Sequence, residues 1–233
     1  MVYAMSDLHG CYDLYLKMLE KIKFSDDDTL YILGDFLDRG EDGIKIIQDV
    51  KKRKNVIPLI GNHDYTAYVV LERLYSPVPE TECKSDYLSG VLALFRDWMH
   101  DGGRVTYDAF QKLSEDEQRT FFSFIENMDV YQEITVGKND FVLTHAGLGN
   151  FDKDKPLSEY VLDDLIWARP DYGKVYFDDK YLVSGHTPTE FIEKEYSGRI
   201  YRKNNHIAID CGAVFCGTLG CVRLNDFKEF YVK

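Results

Sequence analysis

An α/β fold is predicted by three features of the chain. Apolar runs of strand and helix period alternate up to residue 64, a helical stretch follows over 65–128, and strand-like runs dominate the remainder. The first strand is read at Val2 to Met5; Leu14, Met18, Leu19 and Ile22 then share one helical face, and a second strand begins near Leu30. Ile44, Ile47 and Val50 give a second crossover helix before a strand at Val56 to Ile60. This order implies a parallel sheet with right-handed crossovers.

From Tyr65 to Met128 the spacing turns helical, with Val69, Val70 and Leu74, then Leu88, Leu92, Phe95 and Met99, then Phe121, Phe122 and Ile125. Ser114 and Glu117 form a capping box, because hydroxyl and carboxylate can each satisfy an orphan backbone N–H, so a helix should begin there. Residues 65–128 are expected to be a helical insert, a cap or flank within one domain spanning 1–233. After Met128 come Val130 to Val136, Phe141 to Thr144, Tyr181 to Ser184, His206 to Ile209, Leu219 to Leu224 and Phe230 to Val232, which should close a second sheet. Pro156, Pro170 and Gly173 punctuate a long loop expected to shape the approach of substrate.

With 45% hydrophobic and 14% aromatic residues and no Pro, Gly or Ser tract, 233 residues can bury a core without disulfide staples. A formal net charge of -12 disfavours non-specific binding to nucleic acid and favours a basic surface as partner. Cys11, Cys83, Cys211, Cys216 and Cys221 are scattered and lack a Cys-x-x-Cys pair, as reduced thiols in a cytoplasmic protein would be. Neither a basic leader nor a run of ~20 apolar residues is read in the chain, so secretion and membrane insertion are not expected.

The chemistry lies where strand-like runs end: Ser6-Asp7-Leu8-His9-Gly10, Gly34-Asp35-Phe36-Leu37-Asp38-Arg39-Gly40, Gly61-Asn62-His63-Asp64, His145-Ala146-Gly147 and Gly185-His186-Thr187. Strands pointing one way would deliver these side chains to one crevice at their carboxyl ends. A pair of divalent ions, roughly 3.5 to 4 Å apart, needs a bridging carboxylate, neutral donors and a water to acidify. Asp7 and His9, two residues apart on an extended exit, can project together onto one ion, and Asp35 is the candidate bridge. Asn62, His145 and His186 would complete the second ion's shell with donors suited to manganese, the first expectation, or to iron or zinc. Phosphoryl hydrolysis also needs positive charge for the phosphate oxygens and a proton for the leaving group. Arg39 and His63 are the candidates; Asp38 could pair with His63 and favour its imidazolium form, and Arg169 is a second guanidinium clamp.

In order, the clusters resemble the motifs of the phosphoprotein phosphatase family of calcineurin-like metallophosphoesterases, which includes bacterial and phage serine/threonine phosphatases and symmetrical diadenosine tetraphosphatases. The family motifs read Gly-Asp-x-His-Gly, Gly-Asp-x-x-Asp-Arg-Gly, Gly-Asn-His-Glu or Gly-Asn-His-Asp, His-Ala-Gly and Gly-His-Thr, and the match spans most of the chain. The resemblance implies a two-sheet β-sandwich flanked by helices on both sides. It further implies Asp7, His9 and Asp35 on one metal, Asp35, Asn62, His145 and His186 on the other, and His63 with Asp38 protonating the leaving group. Arg39, Arg169 and Asn62 are the expected contacts to substrate phosphate, and attack is by a hydroxide bridging the metals, without a phosphoenzyme. Two positions depart from the pattern or divide it. Ser6 replaces a glycine, and Asp64 stands where glutamate is usual in the protein phosphatases and aspartate common in dinucleotide hydrolases, whereas Asp38-Arg39-Gly40 looks like the protein phosphatase form.

A lone Asp-x-His is most often a turn with a solvated carboxylate; five clusters in order are a site. His100 and His206 fall outside every cluster and are read as solvated or core-edge residues, Cys211, Cys216 and Cys221 as small apolar residues in strands, and Asp26-Asp27-Asp28 as a solvated loop. The expected function is a two-metal phosphomonoesterase acting on phosphoserine or phosphothreonine in proteins. The rivals are a hydrolase of dinucleoside polyphosphates or other small phosphate esters, and a non-catalytic scaffold, against which the retained His63 and Arg39 argue.

Overall fold

Side chains alternate between the two faces of a strand, so the company each keeps reveals how the sheets are layered. In the computed structural model, which describes residues 1–79 and 83–233, the first sheet has the order β10-β9-β1-β2-β3. Its strands are β1 (Val2–Met5), β2 (Thr29–Leu33), β3 (Val56–Leu59), β9 (Leu219–Arg223) and β10 (Lys228–Val232). The second sheet has the order β4-β5-β6-β8-β7, with β4 (Tyr131–Val136), β5 (Asn139–Thr144), β6 (Lys180–Ser184), β7 (Tyr201–Lys203) and β8 (His206–Ala208). Ala4, Tyr31, Leu33 and Leu59 of the first sheet share one apolar cluster with Phe141, Leu143, Val183 and Ile207 of the second. Their neighbours Tyr3, Met5, Leu30, Ile32, Val142 and Leu182 belong to a different cluster, on the outer faces. The alternation makes a β-sandwich, as the family resemblance implies.

Helices α1 (Tyr12–Ile22) and α2 (Gly43–Val50) cover the first sheet's outer face, burying Tyr15, Met18, Leu19 and Ile22 from one and Ile44, Ile46, Ile47 and Val50 from the other. The left-handed Lys23, at φ 53°, closes α1 by donating its N–H to Glu20 and Leu19 carbonyls. β1 pairs in parallel with β2, and β2 with β3, so the first three clusters leave the sheet at the same end. β5 and β6 are likewise parallel and deliver the remaining two.

Three differences from the sequence reading have physical causes. First, β9 and β10 join the first sheet, not the second: β9 pairs antiparallel with β1 on the edge that β2 leaves open, and period-two alternation cannot say which open edge a late strand will fill. Second, the short β7 was not read from the sequence; it forms a hairpin with β8 across Asn204 and Asn205, both at positive φ. Third, the helical segment starts three residues before Tyr65. α3 (Asn62–Tyr75) begins directly after Gly61, so two candidate site residues occupy its first turn.

The insert continues through α4 (Lys84–Trp98), a π-helical turn at Met99–Gly103, α5 (Arg104–Phe110) and α6 (Glu115–Glu126). The capping box is present: Ser114 N donates to Glu117 Oε2 at 2.8 Å and Glu117 N to Ser114 Oγ at 3.4 Å. Trp98, Phe110, Phe121 and Ile125 anchor these helices in the apolar cluster that also takes in β1 and β2. On the far side, α7 (Leu162–Ile166) and the long loop contribute Leu157, Tyr160, Leu165 and Tyr176 to the cluster holding Val142 and Leu182. Short helices α8 (Thr189–Ile192) and α9 (Ala213–Cys216) follow β6 and β8. No helix among the described residues is long and apolar enough to cross a membrane.

Candidate active site

The strand exits bend sharply. Asp7, His9, Asp35, Asp38, Arg39 and His186 have φ of 53°, 39°, 57°, 68°, 68° and 65°, in the left-handed region that side chains avoid. Each such residue costs about 1–3 kcal/mol, a strain that the surrounding fold sustains where function needs it. Close approach requires glycine on both sides of the site: a Cβ on Gly61 would lie 2.2 Å from Asp35 Oδ1 on the neighbouring strand exit, and one on Gly185 would lie 2.2 Å from Asp7 Oδ2 across the sandwich.

Asp35 sits at the centre, 2% exposed. Its Oδ2 lies 3.4 Å from His9 Nε2 and its Oδ1 lies 3.5 Å from His145 Nε2. Two groups of potential metal donors share this carboxylate, one formed with His9 and His63, the other with His145 and His186. Asn62 belongs with the second group, since its Oδ1 is 2.9 Å from His145 Nε2 and 2.8 Å from His186 Nδ1. Asp7 leaves β1 two residues before His9. Its carboxylate accepts the backbone N–H of His186 at 3.0 and 3.1 Å, and it belongs to neither donor group.

The electrostatics suit cation binding. Burial lowers the pKa of His9 and of His186 to about 3 despite the attraction of Asp35, so both imidazoles are neutral with a lone pair to give. Burial lowers His145 as well, and its Nδ1 donates to the Leu33 carbonyl at 2.6 Å, leaving Nε2 toward the cleft. Burial opposes ionisation of Asp35, but the surrounding histidines outweigh it and hold its carboxyl below the usual range. A shared buried carboxylate, neutral imidazoles and an amide oxygen fit two divalent ions. Bound there, the ions would supply Lewis-acid charge for a phosphate and lower the pKa of the attacking water.

Opposite these donors, His63 Nδ1 meets Asp38 Oδ2 at 2.8 Å. Burial opposes its protonation, yet Asp35 and Asp38 prevail and the His63 pKa is raised. Asp38 is fully buried and held from the insert: Trp98 Nε1 donates to its Oδ2 at 2.9 Å and Thr106 Oγ1 to its Oδ1 at 2.7 Å. Arg39 Nη1 lies 2.7 Å from His9 Nε2 and its Nη2 2.7 Å from His63 Nε2, while Asp101 of the π-helical turn faces it at 3.2 Å. Arg169 lines the same cleft, its Nη1 3.3 Å from Thr187 Oγ1. The cleft has a volume of about 350 Å³.

Residues 1–217 match the family described as calcineurin-like phosphoesterase. The chain belongs to that family. This phosphoesterase is 26% identical over 250 positions to an asymmetrical bis(5'-nucleosyl)-tetraphosphatase of Geobacillus thermodenitrificans, covering 94% of this chain and 88% of the relative. Symmetrical bis(5'-nucleosyl)-tetraphosphatases match over shorter segments. That of Wigglesworthia glossinidia brevipalpis is 26% identical over 113 residues, and that of Xanthomonas oryzae pv. oryzae 35% over 106. The segments cover 48% and 45% of this chain and span only 42% and 33% of those relatives. Among solved structures, one provisionally named a diadenosine tetraphosphatase superposes with a TM-score of 0.67 at 17% identity, covering 99% of this chain and 92% of its own. A serine/threonine phosphatase of Saccharomyces cerevisiae gives 0.62 at 14%, covering 99% and 78%. Both likenesses speak for the fold.

Four residues of this calcineurin-like phosphoesterase site escaped the sequence reading. Trp98, Asp101 and Thr106 lie in the insert, which carries no recognisable cluster, so nothing local signals their contact with Asp38 and Arg39. Asp210, after β8, lines the cleft, and burial pushes its pKa up to about 7. Its position at the end of an apolar run, Ile207 to Ile209, was the signal available. Asp64, read as a mark of substrate class, faces away from the cleft. It accepts the backbone N–H groups of Asp35, Phe36 and Leu37 at 2.8, 3.0 and 3.3 Å and that of Gly61 at 3.1 Å.

Proposed function

We propose that this phosphoesterase hydrolyses dinucleoside tetraphosphates at a two-metal site. The single observation that carries the substrate class is the alignment with a bis(5'-nucleosyl)-tetraphosphatase over 94% of this chain and 88% of the relative. This inverts the order reached from sequence, which put phosphoserine and phosphothreonine first.

In this reading Asp7, His9 and Asp35 hold one divalent ion, and Asp35, Asn62, His145 and His186 hold the other. Manganese is the proposed occupant, for a mixed set of imidazole and oxygen donors. Arg39 and Arg169, with Asn62, clamp phosphate oxygens, because a planar guanidinium matches two oxygens at once. Asp38 fixes the His63 ring through Nδ1, which aims Nε2 at the departing group. Arg39 Nη2 lies against that Nε2, so a phosphate that draws the guanidinium toward itself frees the nitrogen to carry a proton. His63 then gives this proton to the leaving oxygen. The cytoplasm, a small phosphate ester or anhydride as partner, and no engagement of nucleic acid complete the reading, the last from the net charge of -12.

The test is product analysis after metal removal and reconstitution with manganese. Diadenosine tetraphosphate should be consumed, with two ADP produced by symmetrical cleavage or ATP and AMP by asymmetrical cleavage. Release of phosphate from phosphopeptides with no nucleotide product would restore the protein phosphatase reading, and no turnover of either would favour the scaffold.

A further inference from the structure

Four aromatic side chains are exposed among the described residues: Tyr75, Trp167, Phe191 and Phe215, at 48%, 44%, 73% and 61%. Three of them, Trp167, Phe191 and Phe215, line the cleft that holds Asp35, Arg39 and His186. They come from separate places in the chain, the end of α7, α8 and α9, so helix periodicity does not explain their convergence. Apolar groups left in water around a polar floor mark a surface that a ligand covers. Phe215 already carries the Arg39 guanidinium on its face, with Cζ 5.0 Å from the ring centroid, and Trp167 meets His186 edge-on at 6.5 Å. Phe191, the most exposed, has neither an aromatic nor a cationic neighbour of that kind among the described residues.

We propose that Phe191, with Trp167 and Phe215, forms a stacking subsite for the nucleobase of a nucleotide whose phosphates lie against Arg39 and the donor cluster. The inference rests on the dinucleotide reading and gives it a recognition element. A cleft with a charged floor and an aromatic rim matches a ligand that has a polyanionic end and a flat end, which a phosphoserine segment lacks. Every base offers a π face, so such a rim binds nucleotides with little regard to base identity. Because the chain has a net charge of -12, it gains from a contact that does not depend on charge attraction.

The experiment is calorimetric titration of the manganese-loaded protein with ADP and with pyrophosphate. ADP should bind about tenfold tighter than pyrophosphate, the scale of one base stacked on an aromatic ring. Phe191→Ala should erase that margin and leave pyrophosphate binding unchanged, and Phe191→Tyr should restore it. The chain has two tryptophans, Trp98 buried and Trp167 half exposed, so ADP should also quench the exposed indole's emission where pyrophosphate does not. Equal binding of ADP and pyrophosphate, a margin untouched by Phe191→Ala, or phosphotyrosine matching ADP would overturn the subsite. If diadenosine tetraphosphate is not hydrolysed, the substrate reading fails separately, and the ADP margin still decides the subsite.

Discussion

At the scale of the residue, the proposed proton donor offers the sharpest test. His63→Ala should lower kcat by about 10²- to 10⁴-fold on an unactivated alkyl phosphate, the range of general acid catalysis, while metal content stays as it was. On a dinucleoside tetraphosphate the loss should be smaller, because the departing nucleotide phosphate is a far better leaving group than an alkoxide. Equal losses on both substrates, measured by steady-state kinetics, would remove His63 from the acid role. Asp64 makes the complementary case. Burial, then the charge of Asp35, pushes its pKa up to about 8 against the opposing pull of backbone N–H groups. Since Asp64 touches only the backbone of the 35–37 turn and Gly61, Asp64→Glu should overpack the site and cost about 1–3 kcal/mol of stability. The ratio of dinucleotide to phosphopeptide rates should not move. A changed ratio with an unchanged melting temperature would return Asp64 to a direct part in specificity. The sequence made Asp64 visible through its motif and hid its partners, because a carboxylate reads the same whether it faces a cleft or four amides.

At the scale of the element, the helical insert is tied to the chemistry. Thr106 Oγ1 accepts from the Asp38 N–H at 2.9 Å and donates to the Asp38 carboxylate, and the Gly102 carbonyl accepts from the Arg39 N–H at 3.0 Å. Thr106→Val keeps the side-chain shape and removes both contacts. We expect kcat to fall by up to about a hundredfold with little change in KM, the scale of a small misplacement of a catalytic group. Unaltered kcat would reduce the insert to packing. The strands that carry the motifs were legible because apolar runs and polar clusters alternate within a few residues. The insert's role was not, since Trp98, Asp101 and Thr106 are spaced for a helix and reach the site only through tertiary packing. The same limit applies to β9 and β10, whose composition announces strands and leaves their sheet open.

At the scale of the molecule, buried titratable groups pull stability in opposite directions. Burial lowers the His206 pKa to about 3 from its ordinary 6.5, and the ring stacks on Tyr172 at 4.8 Å. The unfolded chain therefore binds a proton there that the folded one refuses, so stability from His206 is present above pH 6.5 and lost as pH falls toward 3. Asp64 and Asp210, with raised values of about 8 and 7, act oppositely: stability from each is lost as pH climbs above the ordinary 3.8, until the folded form ionises too. The metal-free protein should thus show a shallow overall profile. His206→Gln should change its slope between pH 4 and 6 by up to about 1.4 kcal/mol per pH unit, followed by urea unfolding. An identical slope in the variant would show that His206 titrates freely. Reconstitution with manganese at a hundred times its dissociation constant should add about 2.7 kcal/mol for each ion bound, and Asp35→Asn, which removes the carboxylate common to both donor groups, should abolish most of that gain.

The antiparallel partnership of β1 with β9 ties Met5 to Cys221 across most of the polypeptide. Asp7 and His9, at the exit of β1, therefore sit on an unfinished sheet until Leu219–Arg223 is in place. A fragment lacking residues 219–223 would leave β1 without that neighbour and the exit that carries both side chains braced on one side only.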